Sequence, residues 1–266
     1  FNSDGFDLGA GDEVNNGSTT YVSWNWLANG AGAANTAGSI DTTKTSAETT
    51  SGCSIIQYTG NGSNGATIGH GTGIKPSMVI VKELNGGNDW IVYTQALTAN
   101  KILYLNTTGG ENDNNVFFND TEPTTSLITL GTISATNGDG IPYIAYCFSD
   151  VQGFSKQGSY IGNGSTDGAF VYTGFKPDWV LIKRSSAGGD QWQLSDSKRG
   201  VNGAIKTLYT DSAEVETSSD SIDHLSNGFK NRATSVARNG SGDTYIYMAF
   251  AEEPLVSTNG VPATAR

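Results

Sequence analysis

The sequence predicts an all-β protein, built as tandem antiparallel β-sandwich repeats of about 100 residues. Three observations carry that reading. Short β-branched and aromatic runs recur along the chain, turn residues bound each run, and one pattern returns with a period near 102 residues. In chain order the expected strands are Ser54-Ile55-Ile56-Gln57-Tyr58, Met78 to Lys82, Trp90 to Tyr93, Ile102 to Leu105, Val116 to Phe118 and Tyr143 to Phe148. Each is rich in residues that pack on a pleated surface, and each is closed by Gly, Asn, Asp or Pro. Asn137-Gly138-Asp139-Gly140 and Asn239-Gly240-Ser241-Gly242 read as hairpin loops, because Asn and Gly adopt positive φ at low cost. No stretch holds apolar residues at spacings of three and four, so helices are expected to be few.

The repeat is read directly from matched residues. Tyr58-Thr59-Gly60-Asn61-Gly62 returns as Tyr160-Ile161-Gly162-Asn163-Gly164, and Trp90 returns as Trp192, both 102 residues on. Gly73-Ile74-Lys75-Pro76-Ser77-Met78-Val79-Ile80-Val81-Lys82 returns as Gly174-Phe175-Lys176-Pro177-Asp178-Trp179-Val180-Leu181-Ile182-Lys183, and Tyr143 to Phe148 returns as Tyr245 to Phe250. At the front, Gly5-Phe6, Asn16-Gly17-Ser18 and Tyr21 to Trp26 repeat the order of Gly228-Phe229, Asn239-Gly240-Ser241 and Tyr245 to Phe250. The expected organisation is therefore the C-terminal part of an upstream repeat (residues 1–30), a Gly/Ala/Ser/Thr-rich linker or ordered strap (31–50), a sandwich repeat (51–152), a second (153–256) and a tail (257–266). A first residue that is Phe reads as a fragment or a processed product. A period this long is expected to give beads with separate cores rather than solenoid rungs.

Composition narrows the function. There are 35 Gly among 266 residues, yet 10% aromatics argue for a folded chain with many turns. Asp and Glu outnumber Lys and Arg by 26 to 15, for a net charge of −11. Such a surface repels phosphate backbones and anionic lipid, so neither nucleic acid nor a membrane is an expected partner.

The Tyr-x-Gly-Asn-Gly run, the Gly-Phe-Lys-Pro-x-Trp-Val-x-Ile-Lys strand and the closing Tyr-Ile-Tyr-Met-Ala-Phe resemble repeats in virion-associated proteins of marine and cyanobacterial tailed phages. The resemblance spans about Ser51 to Arg266 as two units, with Phe1 to Trp26 as a partial one. It implies a virion structural protein, tail-fibre-like or on the particle surface, contacting the host. It also implies an extracellular, virion location and self-association into an oligomer such as a trimer, with other virion proteins and a host-surface glycan as partners. It brings no functional residues with it. Two other classes share the composition: a secreted carbohydrate-binding or adhesive module, marked by an exposed aromatic patch or a calcium site, and a surface filament subunit joined by strand addition. The unpaired front piece motivates the last.

No catalytic, cofactor-binding or metal-binding residue is expected, and no cofactor. His70 and His224 are the only histidines, fall at non-equivalent places in the two units, and read as loop or surface residues. Gly69-His70-Gly71-Thr72-Gly73 lacks the Lys and Ser/Thr of a phosphate loop and reads as a turn. Glu111 to Asn115 and Asp211 to Glu216 are acidic but lack EF-hand spacing, so they read as solvated loops. Trp90 and Trp192, recurring at equivalent positions, read as core, as do Trp24 and Trp26, two apart in an expected strand. Cys53 and Cys147 read as free buried thiols, with a disulfide as the alternative.

Overall fold

The computed structural model describes residues 5–219 and 221–252. The predicted tail at 257–266 lies outside them. A one-turn helix α1 (Asp12–Asn15) is followed by β1 (Lys44–Glu48), β2 (Cys53–Thr59), β3 (Ala66–Gly69), β4 (Pro76–Glu83), β5 (Ile91–Thr94), β6 (Lys101–Tyr104), β7 (Asn112–Asp113) and β8 (Leu127–Leu130). Helix α2 (Ser134–Asn137) and β9 (Pro142–Ser149) close the first half. The second half holds β10 (Ser155–Ile161), β11 (Phe170–Tyr172), β12 (Pro177–Arg184), β13 (Gln193–Asp196), β14 (Ile205–Tyr209), β15 (Thr217–Ser219), β16 (Ile222–Leu225) and β17 (Gly228–Asn231), then α3 (Val236–Asn239) and β18 (Thr244–Ala251).

The protein is all-β, and every ladder between its strands is antiparallel. One large sheet runs β1-β2-β9-β4-β5-β6-β7 and the other β10-β18-β12-β13-β14-β15. Smaller sheets, β3-β8 and β11-β17-β16, cover one face of each. The order β2-β9-β4-β5-β6 of the first half is thus repeated as β10-β18-β12-β13-β14 in the second.

The matched motifs do the same work in both halves. Tyr58 stacks on Tyr143 at 5.1 Å and donates to the Thr136 carbonyl at 2.6 Å; Tyr160 stacks on Tyr245 at 5.0 Å and donates to the Arg238 carbonyl at 2.7 Å. The first glycine of each Tyr-x-Gly-Asn-Gly run lies where backbone meets backbone: a Cβ on Gly60 would sit 2.5 Å from the Gly138 oxygen, and one on Gly162 2.3 Å from the Gly240 oxygen. The second, Gly62 or Gly164, has φ of +66°. Val at either position is expected to cost about 2 kcal/mol or more, since a β-branched residue is strained in the left-handed region. Thermal melts of both variants check this, and unchanged midpoints would refute it.

Each half has an inner core between its large and small sheets. In the first, Ile56, Tyr58, Val79, Val81 and Tyr93 face Ile128; in the second, Val180, Ile182, Tyr245 and Ala249 face Val171 and Phe229. The halves are not separate beads. Met78, Ile80, Val92 and Leu103 on the outer face of the first large sheet form one cluster with Trp179, Leu181, Trp192, Leu194, Met248 and others on the second. The four sheets stack as layers around three cores. That is why Met78 to Val81 and Trp179 to Ile182 are apolar at consecutive positions rather than alternate ones: both faces of these strands are covered. Hydrogen bonds cross the same junction, among them Trp192 Nε1 to the Tyr104 carbonyl at 2.8 Å and Lys183 Nζ to the Thr108 carbonyl at 3.0 Å.

Other expectations are corrected. Val116 to Phe118 is a turn, not a strand; Phe117 and Phe118 are both buried, and the turn is completed by positive φ at Asn119 and Asp120. Asn137 to Gly140 and Asn239 to Gly242 do not close hairpins, because the strand before each helix pairs inside the small sheet, and the segment crosses between layers. The buried Asn137 and Asn239 tie that crossing down, each accepting from the backbone N–H of Asn61 or Asn163 at 3.0 Å. Residues 31–50 are a strap rather than a bare linker. They carry β1 on the edge of the first sheet and bridge Ile40 to Ile68 beside β3. Tyr21 to Trp26 is not a strand: among the described residues no ladder forms along it.

Candidate functional site

Where the front segment meets both halves, the structure leaves a cavity of about 1090 Å³. Its walls come from residues 22–27, the turn after β1, the link between the halves around Phe154, and the loop after β13. Trp26 anchors the front segment. Its ring lies 5.5 Å from Trp179 at 88°, 5.2 Å from Phe250 and 6.1 Å from Phe148, edge-on or tilted geometries that favour aromatic pairs. Trp24 anchors it a second time: Nε1 donates to Asp196 Oδ2 at 3.3 Å, and the Arg199 guanidinium lies 5.3 Å from its ring centroid.

Asp196 organises this wall. It ends β13, and its Oδ1 accepts the backbone N–H groups of Lys198 at 3.0 Å and Arg199 at 2.9 Å, a local turn that short acidic side chains favour. Oδ2 accepts Arg199 Nε at 2.6 Å. Burial by itself would raise the Asp196 pKa, but the Arg199 bonds outweigh it and hold the carboxyl below its ordinary value. Each cation at the rim has an acidic partner: Arg199 pairs with Asp196 and Glu216, and Lys198 with Glu252 at 3.1 Å and Asp178 at 3.7 Å. Three buried polar atoms on lining residues have no hydrogen-bond partner among the described residues: Ser51 Oγ, Trp179 Nε1 and Arg199 Nη2. An apolar aromatic wall with such groups beside it suits reversible binding of a molecule that is apolar on one face and carries hydrogen-bonding oxygens. Cys53 also lines the cavity, where burial pushes its thiol pKa up, away from the reactive thiolate.

Trp24 and Trp26, expected in the core, are half-buried at the seam, and Trp26 packs into the junction between the halves. Trp192 is 1% exposed, whereas Trp90 is half-buried at the rim, stacked on Tyr146 at 6.3 Å. Asp196 and Arg199 were not singled out in the sequence. The signal was a difference between the copies: Asp196-Ser197-Lys198-Arg199 stands where the first unit has Thr94-Gln95-Ala96-Leu97.

The histidine expectation is corrected in part: His70 does lie in a loop, but both side chains are buried. His70 is in the turn after β3, where Nδ1 is 2.8 Å from Thr72 Oγ1, and burial lowers its pKa. His224 lies in β16, with Nε2 3.3 Å from Ser195 Oγ. This Ser–His pair is enclosed, and Nδ1 has no partner among the described residues to orient the ring as a nucleophile's base requires. The acidic loops are tied into the structure rather than free: Glu111 pairs with Lys101, and Asp211 Oδ1 accepts the Trp192 N–H at 3.1 Å. Among the described residues no group of three or more His, Cys, Asp or Glu is placed to hold a metal ion. Cys53 and Cys147 are free thiols, and burial pushes Cys147 up to about 12.

These features define an all-β protein of stacked sandwiches with an aromatic cavity at the seam. The chain belongs to the family described as Domain of unknown function (DUF7483), whose model matches residues 1–254, across the front segment and both halves. No curated protein matches the chain, and no solved structure does.

Proposed function

We propose that this chain is a non-enzymatic structural component of a phage virion, tail-fibre-like or on the particle surface, with its loops and seam turned toward the host. The observation that supports this best is the continuous core through both halves. Sheet-on-sheet packing of Met78, Ile80 and Leu103 against Trp179, Trp192 and Met248 joins the two sandwiches into one stiff block, as an appendage under mechanical stress requires. The repeat motifs that resemble those of virion-associated proteins support the same reading, as does the acidic composition, which disfavours nucleic acid and anionic lipid. The second reading, a secreted carbohydrate-binding module, is favoured by the aromatic cavity. A subunit joined by strand addition is not carried forward, because Trp24 and Trp26 of the front segment are engaged within their own chain.

The test is to purify particles from the producing host by density gradient and quantify the chain by mass spectrometry. Native mass measurement of the isolated protein accompanies it. The chain is expected to band with the particles at fixed stoichiometry and to form an oligomer such as a trimer. A monomer found only in the particle-free medium would overturn the proposal in favour of the secreted module.

A further inference from the structure

We propose that the seam cavity is a saccharide site that takes a neutral pyranose-based glycan. The proposal deepens the reading of the chain as a host-facing module and rests on it for the source of the sugar. Three observations converge. The wall is aromatic, formed by Trp24, Trp26, Trp179 and Phe250, and the C–H face of a pyranose packs on such rings. Trp179 Nε1, Arg199 Nη2 and Ser51 Oγ, on residues that line the cavity, are enclosed without a partner among the described residues, and Trp179 is itself only 8% exposed. Buried polar groups left unpaired are costly, and sugar hydroxyls, which both donate and accept, pair with them once the side chains turn to face the cavity.

Charge selects among ligands. Arg199 and Lys198 are each neutralised by carboxylates, and Glu48 and Asp178 also line the cavity. On a chain of net charge −11, no uncompensated cation at the site favours an acidic sugar. A purely aliphatic ligand would leave the three polar atoms unpaired. Phe170 and Tyr172 on β11 form another exposed aromatic pair, but neither lines the seam cavity.

Calorimetric titration tests the assignment, using tetrasaccharides of glucose, galactose, mannose and N-acetylglucosamine, with tetragalacturonate and dodecanoate as the acidic and aliphatic probes. At least one neutral tetrasaccharide is expected to bind saturably. Trp179→Phe, which keeps an aromatic ring and removes the donor, and Arg199→Gln are each expected to weaken it about tenfold. Tyr172→Ala is expected to leave it unchanged. Circular dichroism and melting of Trp179→Phe establish that the variant is folded. Saturation by no neutral sugar, tighter binding of tetragalacturonate or dodecanoate, or loss of binding in Tyr172→Ala but not in Trp179→Phe would each overturn the proposal. The two readings fail separately. A chain present on particles that binds no sugar loses only the ligand, and a sugar-binding chain absent from particles keeps the site and loses the virion.

Discussion

Trp192→Ala is expected to destabilise the protein by about 3–5 kcal/mol, the range for truncating a large buried aromatic. The indole is 1% exposed in the core shared by the two large sheets. It also donates from Nε1 to the Tyr104 carbonyl in the other half, so removal leaves both a void and an unpaired carbonyl at the junction. Trp192→Phe separates the two effects, because it fills most of the space and loses only the donor, for about 1 kcal/mol from the lost bond. Trp90→Ala is expected to cost clearly less, since its side chain is only half-buried at the rim. Urea unfolding measures all three. Wild type is expected to unfold in one transition because the halves share a core; two separate transitions, or a Trp192→Ala loss below about 1 kcal/mol, would contradict the stacked architecture.

The second large effect is on pH. His224 is 4% exposed, and burial, reinforced by the nearby Arg238 charge and by Lys176, lowers its pKa to about 4 against the pull of Asp196 and Asp223. Its unfolded value is about 6.5, so below that pH the unfolded chain takes a proton that the folded chain refuses. Stability from this group is complete above about 6.5, falls as pH drops toward 4, and changes no further below it. The loss is on the order of 3 kcal/mol. His224→Gln is expected to flatten most of that slope, leaving the smaller contribution of His70, which acts in the same direction. Asp196 acts in a lower window: its folded pKa is depressed, so its contribution is present above the ordinary carboxylate range and lost below it. Unfolding free energies at pH 7 and pH 4.5 for wild type and His224→Gln decide the matter; equal slopes in the two proteins would refute it.

The central strands of the large sheets were legible because they rest on local rules, whereas those of the small sheets, β3, β8, β11, β16 and β17, were not expected. Ile55, Tyr58, Val79 and Tyr143 stand in runs with strand chemistry, and the turns between them need glycine at defined places. The Tyr-x-Gly-Asn-Gly motif was visible as a repeat, and positive φ at Gly62 follows from its turn chemistry, whereas the close approach at Gly60 depends on the distant Gly138 carbonyl. Phe117 and Phe118 misled because consecutive aromatic residues fit a strand as well as a plugged turn. β1 was missed because Lys44-Thr45-Ser46-Ala47-Glu48 pairs through its backbone, with little apolar signal in its side chains. The cavity was illegible, since Trp24 and Asp196 lie 172 positions apart in sequence.

The all-β class, the recurring pattern, the scarcity of helix and the acidic surface are written in the amino-acid order, because each follows from residues near one another in the chain or from simple composition. That the halves share a core, that both histidines are enclosed and that the front segment closes an aromatic cavity came from the packing of distant segments. Those outcomes depend on which faces of distant strands meet. A strand apolar on both sides announces that it is covered twice, but not by what.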